Sequence, residues 1–202
     1  MLNKLKYFWS ESWLLLVSAF IFGLLIALTN SALSGQIEKN QAAKLYENMG
    51  ALITEAIDFR KAAEGLAISG QKTDVYAGFD SNKKCAGFAF IASGPGFADK
   101  IKLVIAVDGE CRKFLGFKVL ESSETPEFGS KISEKYYSSQ FIGAPAGQLN
   151  LVTTGKPEEI DSEIVAISGA TVSSEAVVKI FNSYIDTIKE ELNSKGMMSN
   201  GK

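Results

Sequence analysis

Ser168-Gly169-Ala170-Thr171-Val172-Ser173-Ser174 stands where a β-like run, Ile164 to Ile167, ends and a segment with helically spaced apolar residues begins. A strand, a turn of small residues and hydroxyl side chains at a helix start together make a place for a phosphate-sized anion. The first turn of a helix carries unpaired backbone N–H groups and roughly half a positive charge from the macrodipole. Gly169 and Ala170 let a ligand come close to the backbone, and Thr171 sets a hydroxyl beside it. The simpler alternative is that Ser168 or Thr171 is a plain N-cap, a role Ser and Thr often fill. The heptapeptide alone leaves both readings open.

Downstream, a helix is expected from about Val172 to Leu192, with Val177, Ile180, Phe181, Tyr184 and Ile188 as its buried stripe. Upstream, Leu149 to Thr153 and Ile164 to Ile167 read as short strands. Val75 to Phe79 and Cys85 to Ala92 read as strands on either side of a turn at Asp80-Ser81-Asn82-Lys83. Ile101 to Val107 and Cys111 to Leu120 form a second pair closed at Asp108-Gly109, a strong hairpin signal. Ser93-Gly94-Pro95-Gly96-Phe97 between the pairs is expected to be a loop, neither helix nor central strand. The class is α+β: a mainly antiparallel sheet with flanking helices.

At the other end, no charged residue occurs from Ser12 to Ile37, and Leu, Ile, Val, Phe and Ala dominate Trp13 to Leu28. At about 1.5 Å per residue this run is long enough to cross a hydrocarbon layer about 30 Å thick. Tyr7, Phe8, Trp9 and Trp13 stand at its start, as in an aromatic belt. A cleaved signal peptide is the rival, but it has a shorter apolar region, and Ser31-Ala32-Leu33 is a poor cleavage site. Lys4 and Lys6 precede the span, while Glu38 and Lys39 balance after it. That asymmetry puts the N-terminus in the cytoplasm and the domain outside. Residues 1–35 are thus tail and anchor, and 36–66 a linker helix running to about Ala63 with a break near Gly50. Residues 67–195 are the globular domain and 196–202 a disordered tail.

Composition narrows the chemistry. The chain has 202 residues, a net charge of −2 and no histidine, the commonest general base and metal ligand. No basic face suited to nucleic acid is present. Cys85 and Cys111 make no zinc or iron–sulfur spacing, and they are read as packed free thiols or as a disulfide pair. Gly94-Pro95-Gly96 lacks the rest of a dinucleotide-binding fingerprint. No metal site is expected, and redox work would need a bound cofactor.

Three separated motifs then coincide with one family. The run "GPGFADKIKLVIAVDGECRKFLGFKVL" from Gly94, the loop Glu124-Thr125-Pro126-Glu127-Phe128-Gly129, and Ser168-Gly169-Ala170-Thr171 follow in order behind one anchor. In this the chain resembles the membrane-anchored FMN-binding subunit of Rnf-type electron transport complexes, the RnfG family. It is similar, more distantly, to the NqrC subunit of sodium-translocating NADH:quinone reductases. The resemblance implies FMN joined through its phosphate to the Thr171 hydroxyl, a phosphoester made by a flavin transferase from FAD with a divalent cation. Ser168, Gly169, Ala170 and Ser174 would surround the phosphate. Glu124, Thr125, Phe128 and Gly129 would approach the isoalloxazine ring, Thr125 by hydrogen bonding and Phe128 by apolar contact.

It also implies electron relay in a membrane-bound, ion-translocating ferredoxin:NAD⁺ oxidoreductase of a bacterial or archaeal cytoplasmic membrane. The partners implied are RnfA, RnfD and RnfE, with RnfB and RnfC in the same complex, and no independent catalytic activity is expected. The alternatives are a flavin carrier of another extracytoplasmic electron chain, or a scaffold of the same fold that has lost flavin. Two positions depart from the pattern. Val165 stands where an Asp usually precedes the attachment motif, and Glu127-Phe128 replace Gly-Leu. Glycine at position 127 would imply a positive φ that Glu disfavours, so a different loop shape is expected there.

Overall fold

β-branched and aromatic residues concentrate between Val75 and Val119, and that stretch builds most of a five-stranded antiparallel meander. The computed structural model describes residues 2–198, with side chains from Ser12 onward. Its strands are β1 (Asp58–Ile68), β2 (Gln71–Phe79), β3 (Cys85–Pro95), β4 (Lys100–Asp108) and β5 (Phe114–Glu121), paired in chain order. A separate parallel pair, β6 (Asn150–Val152) and β7 (Glu163–Val165), follows. The helices are α1 (Leu2–Leu52), the single turn α2 (Lys135–Ser138) and α3 (Thr171–Ser194), with 3-10 turns at Gly129–Ser133 and Ser139–Phe141. The α+β class read from sequence is the class observed.

The period of two along a strand sorts the sheet residues into two cores. Phe88, Phe90 and Ala92 of β3, with Leu103, Ile105 and Val107 of β4, join the cluster that holds α3. Ala89, Val104 and Ala106 join Met49 and Ile53 on the other side. The expected stripe of α3, Val177 to Ile188, is buried at all five positions. Its Phe181 ring lies 4.6 Å from Phe141 and 5.5 Å from Phe117, centroid to centroid, so α3 is keyed to β5 and to the segment before β6.

By contacts the chain divides into two compact units, Met1–Ala43 and Lys44–Lys202. Within the described residues the first is helical throughout. The stretch Ser12–Leu52 contains a window long and apolar enough to cross a membrane, with none of that window buried. The expected aromatic belt at Tyr7, Phe8 and Trp9 lies outside the described side chains; Trp13 is exposed.

Four local expectations are corrected. First, α1 passes through Gly50 without a break, ends at Leu52, and is followed by strand β1 where a helix to Ala63 was expected. The Ala-, Lys- and Glu-rich composition favours a helix, but β1 is an edge strand that turns Arg60, Lys61 and Glu64 to solvent and buries Ala62 and Ala63. Second, Ser93, Gly94 and Pro95 belong to β3 and pair with Lys102, Ile101 and Lys100. The β2 pairing stops at Phe90, so Pro95 costs no bond on that side. Third, Cys111 lies in the turn between β4 and β5, at φ 52°, and not in a strand; both cysteines are unpaired. Fourth, the expected disordered tail begins too early. Gly196 N–H bonds Asn193 O and Met197 N–H bonds Leu192 O, a Schellman closure of α3, and Met198 packs on the core. Residues 199–202 lie outside the described part.

Candidate functional site

The start of α3 carries no side-chain cap. Ala170 is the N-cap residue, and the first helical bond runs from Ser174 N–H to Ala170 O, 2.9 Å. The N–H groups of Thr171, Val172 and Ser173 therefore have no partner within the helix. Neither Ser168 nor Thr171 acts as the N-cap, which removes the simpler of the two readings of this heptapeptide.

These open N–H groups border a cleft of about 460 Å³ lined by Phe97, Thr125, Phe128, Gly129, Gly169, Ala170, Thr171, Val172 and Ser173. That volume lies in the range of small-molecule sites. Phe97 is 65% exposed and Phe128 53%, so two largely exposed aromatic residues stand at the cleft wall. Thr171 is an exposed residue, whereas the hydroxyls of Ser173 and Ser174 are committed to protein partners. A helix N-terminus suited to a phosphate and aromatic walls suited to a flat ring fit FMN.

The structure brings six of the nine sequence-derived site residues to the cleft: Thr125, Phe128, Gly129, Gly169, Ala170 and Thr171. Ser168 is exposed in the turn before α3 but is not a wall residue. Ser174 is fully buried; its Oγ accepts the Ile167 N–H (3.1 Å) and donates to Ala170 O (3.0 Å), tying the strand exit to the helix start. Glu124 is buried behind the wall. Its Oε1 accepts the N–H groups of Phe97 (2.8 Å) and Ala98 (3.1 Å), and its Oε2 accepts the Ser173 hydroxyl (2.5 Å). Sequence reasoning missed Phe97, Val172 and Ser173 as wall residues. The signal for Phe97 was a bulky apolar residue directly after Gly-Pro-Gly, just past the end of β3 at Pro95.

The departures from the family pattern are also located. Glu127 itself adopts φ 65°, so the loop keeps the shape a glycine would give, against expectation. The N–H groups of Phe128 (3.4 Å) and Ser130 (3.1 Å) both reach Thr125 O and hold the turn closed around it. Val165 belongs to β7, half-buried, with its N–H and C=O both bonded by the Gln140 side chain. Asp161 caps the Glu163 N–H at 2.6 Å.

A larger cleft of about 760 Å³ lies elsewhere, lined by Gln71, Lys72, Thr73, Asp74, Lys102 and Glu121 among others. It has no helix N-terminus, and two of its lining charges, Lys102 and Glu121, pair with each other at 3.1 Å. No group of three or more His, Cys, Asp or Glu able to hold a metal occurs among the described residues.

A family model described as an FMN-binding domain matches residues 96–186, which span Phe97, the 124–129 loop and the start of α3. The chain is 30% identical over 167 residues to the G subunit of the proton-translocating ferredoxin:NAD(+) oxidoreductase complex of Clostridium ljungdahlii, covering 82% of this chain and 83% of that one. The chain belongs to the RnfG family. The G subunit of the ion-translocating oxidoreductase complex of Methanosarcina acetivorans is 28% identical over 180 residues, 88% of this chain and 92% of its own. In fold, this RnfG-family chain is similar to NqrC of Shewanella oneidensis, with a TM-score of 0.56, 21% identity and coverage of 70% and 73%. As a member of the RnfG family it is an FMN-binding membrane protein, with α1 supplying its candidate span.

Proposed function

We propose that this chain relays electrons through FMN held by a phosphoester on Thr171, as the RnfG component of an ion-translocating ferredoxin:NAD⁺ oxidoreductase. The observation that carries the reading is the uncapped start of α3, which turns three free N–H groups and the Thr171 hydroxyl to a cleft with two exposed aromatic rings. Bound FMN supplies reversible electron uptake. The chain's own part is to hold the phosphate at the positive end of α3, to flank the ring with Phe97 and Phe128, and to offer Thr125 for hydrogen bonding.

Attachment uses FAD as donor on a flavin transferase. The Thr171 oxygen bonds the FMN phosphorus, the pyrophosphate bond breaks, AMP leaves, and the hydroxyl proton passes to a base of that enzyme. Covalent attachment suits a carrier facing an open compartment, where lost flavin is not replaced. The lysines at positions 4 and 6 orient residues 1–35 as a cytoplasmic tail and anchor, with the flavin domain on the far side of the membrane. The other components of the complex, RnfA, RnfD and RnfE with RnfB and RnfC, are its partners. The two relatives described above, named as components of such complexes, support this placement.

In-gel flavin fluorescence after SDS denaturation tests the reading, using protein made in its native host beside a Thr171→Ala control. Fluorescence that survives denaturation and is absent from the control is the expected result. A dark wild-type band would overturn covalent attachment.

A further inference from the structure

Glu124 sits where three segments meet, and none of its oxygens faces the cleft as a wall atom. One oxygen holds two successive amides of the loop after β3, Phe97 and Ala98. The other holds Ser173, two residues beyond Thr171 on α3. The fit is tight on both sides. A Cβ added to Gly96 would lie 2.2 Å from Oε1, and one added to Gly129 would lie 2.7 Å from Oε2. The carboxylate thus accepts three hydrogen bonds, donates none, and is 7% exposed.

From this geometry we infer that Glu124 is the positioning residue of the flavin site, and that its buried negative charge lowers the flavin reduction potential. Both parts rest on the functional reading above. Through Phe97 it sets one aromatic wall, and through Ser173 it sets the first turn of α3, whose N–H groups face the phosphate. Three of the residues it touches, Phe97, Ser173 and Gly129, themselves line the cleft. A negative charge directly behind that wall, shielded from water, opposes the addition of electrons to a group in front of it.

Glu124→Gln separates charge from shape. The amide oxygen can still accept from Phe97 and Ala98, and the amide nitrogen can meet Ser173 Oγ, which then accepts. Glu124→Ala removes both roles. Two measurements are made on the full-length protein. In a flavin-free Thr171→Ala background, amide hydrogen exchange at Phe97 and Ala98 is expected to rise at least tenfold with Glu124→Ala and to stay protected with Glu124→Gln. In flavin-loaded protein, Glu124→Gln is expected to keep the covalent flavin and shift its midpoint potential to more positive values. Should Glu124→Ala fail to fold, Glu124→Asp replaces it: one methylene shorter, it keeps the charge but no longer spans both partners. Exchange at Phe97 and Ala98 is then expected to rise, and unchanged exchange overturns the positioning role equally. Unchanged exchange in a folded Glu124→Ala protein overturns the positioning role, and an unchanged potential in Glu124→Gln overturns the electrostatic one. A wild-type protein without flavin would instead overturn the functional reading, and the exchange experiment would still decide the positioning role.

Discussion

The Phe128 ring lies against the α-carbon of Gly169: a methyl group added there would meet Phe128 Cδ1 at 3.2 Å and Cε1 at 3.4 Å. Gly169 also has φ 80°, in the region L side chains avoid. One glycine thus lets the attachment turn and the aromatic wall approach each other. Gly169→Ala is expected to cost about 1–2 kcal/mol from backbone strain, with the contact adding to it. Denaturant unfolding of the flavin-free protein measures the loss, and a smaller flavinylated fraction is expected in the same variant. Stability equal to wild type would mean that the turn relaxes freely.

Glu127 holds φ 65° without a glycine's freedom. Its side chain is exposed, so replacement loses no packing. Glu127→Gly is therefore expected to stabilise the fold by about 0.5–1 kcal/mol, because relief of the left-handed strain outweighs the added chain entropy. The unfolding midpoint should rise while the flavin content stays unchanged. A fall in midpoint would show that the turn was not strained.

These two positions mark the limit of what the sequence disclosed. The meander was legible because Asp108-Gly109 and Asp80–Lys83 punctuate runs whose apolar alternation matches a half-buried sheet. The helix α3 was legible from its stripe. The strand β1 was not, since Ala, Lys and Glu on an edge strand read locally as helix and only pairing with β2 decides otherwise. At the site, residues adjacent in sequence to the attachment turn were placed on the cleft, and most are there. What failed was direction: Glu124 and Ser174 point into the protein, and Phe97 arrives from a segment some seventy residues away in the chain. Side-chain direction of that kind follows from tertiary packing, which a linear pattern does not carry.

Burial separates the two cysteines. Cys111 is 2% exposed, and its thiol is pushed up to about 12, by burial first and then by the nearby Asp108 charge. Cys85 is half-buried and also raised, again chiefly by burial. At pH 8 a thiol with the value of Cys111 holds on the order of a thousandfold less thiolate than an ordinary one. Mass spectrometry after timed alkylation of the native protein should find Cys85 modified first and Cys111 unmodified until denaturant is added. Equal rates would contradict the packing at the β4–β5 turn.

Asp74 accepts the Gly65 N–H at 2.9 Å and pairs with Lys61 at 3.1 Å, and these contacts hold its carboxyl below the usual range, the Gly65 bond foremost. A depressed folded-state value means stability that is present above the ordinary aspartate range and is lost as pH falls through the lowered value. Asp74→Asn is expected to flatten the acid limb of the stability profile below about pH 4 while leaving its shape near neutrality unchanged. Thermal unfolding across pH 2–7 checks this. Identical acid limbs in the two proteins would remove Asp74 from the account.

The bare N-cap at Ala170 is the point where stability and function part. Ser, Thr, Asp and Asn are favoured there because a side-chain oxygen satisfies a first-turn N–H, and exchanging such a residue for Ala typically costs about 1 kcal/mol. The chain carries Ala instead, and no side chain supplies the bond. Ala170→Ser should therefore stabilise the flavin-free protein by about 1 kcal/mol, read as a rise in the denaturant midpoint. The same hydroxyl would occupy the N–H of Val172 or Ser173 and compete with a phosphate for it. The flavinylated fraction is accordingly expected to fall in the variant that folds better. A more stable Ala170→Ser protein with undiminished flavin would mean that the first-turn N–H groups do not hold the phosphate, and the binding role would pass to Thr171 alone.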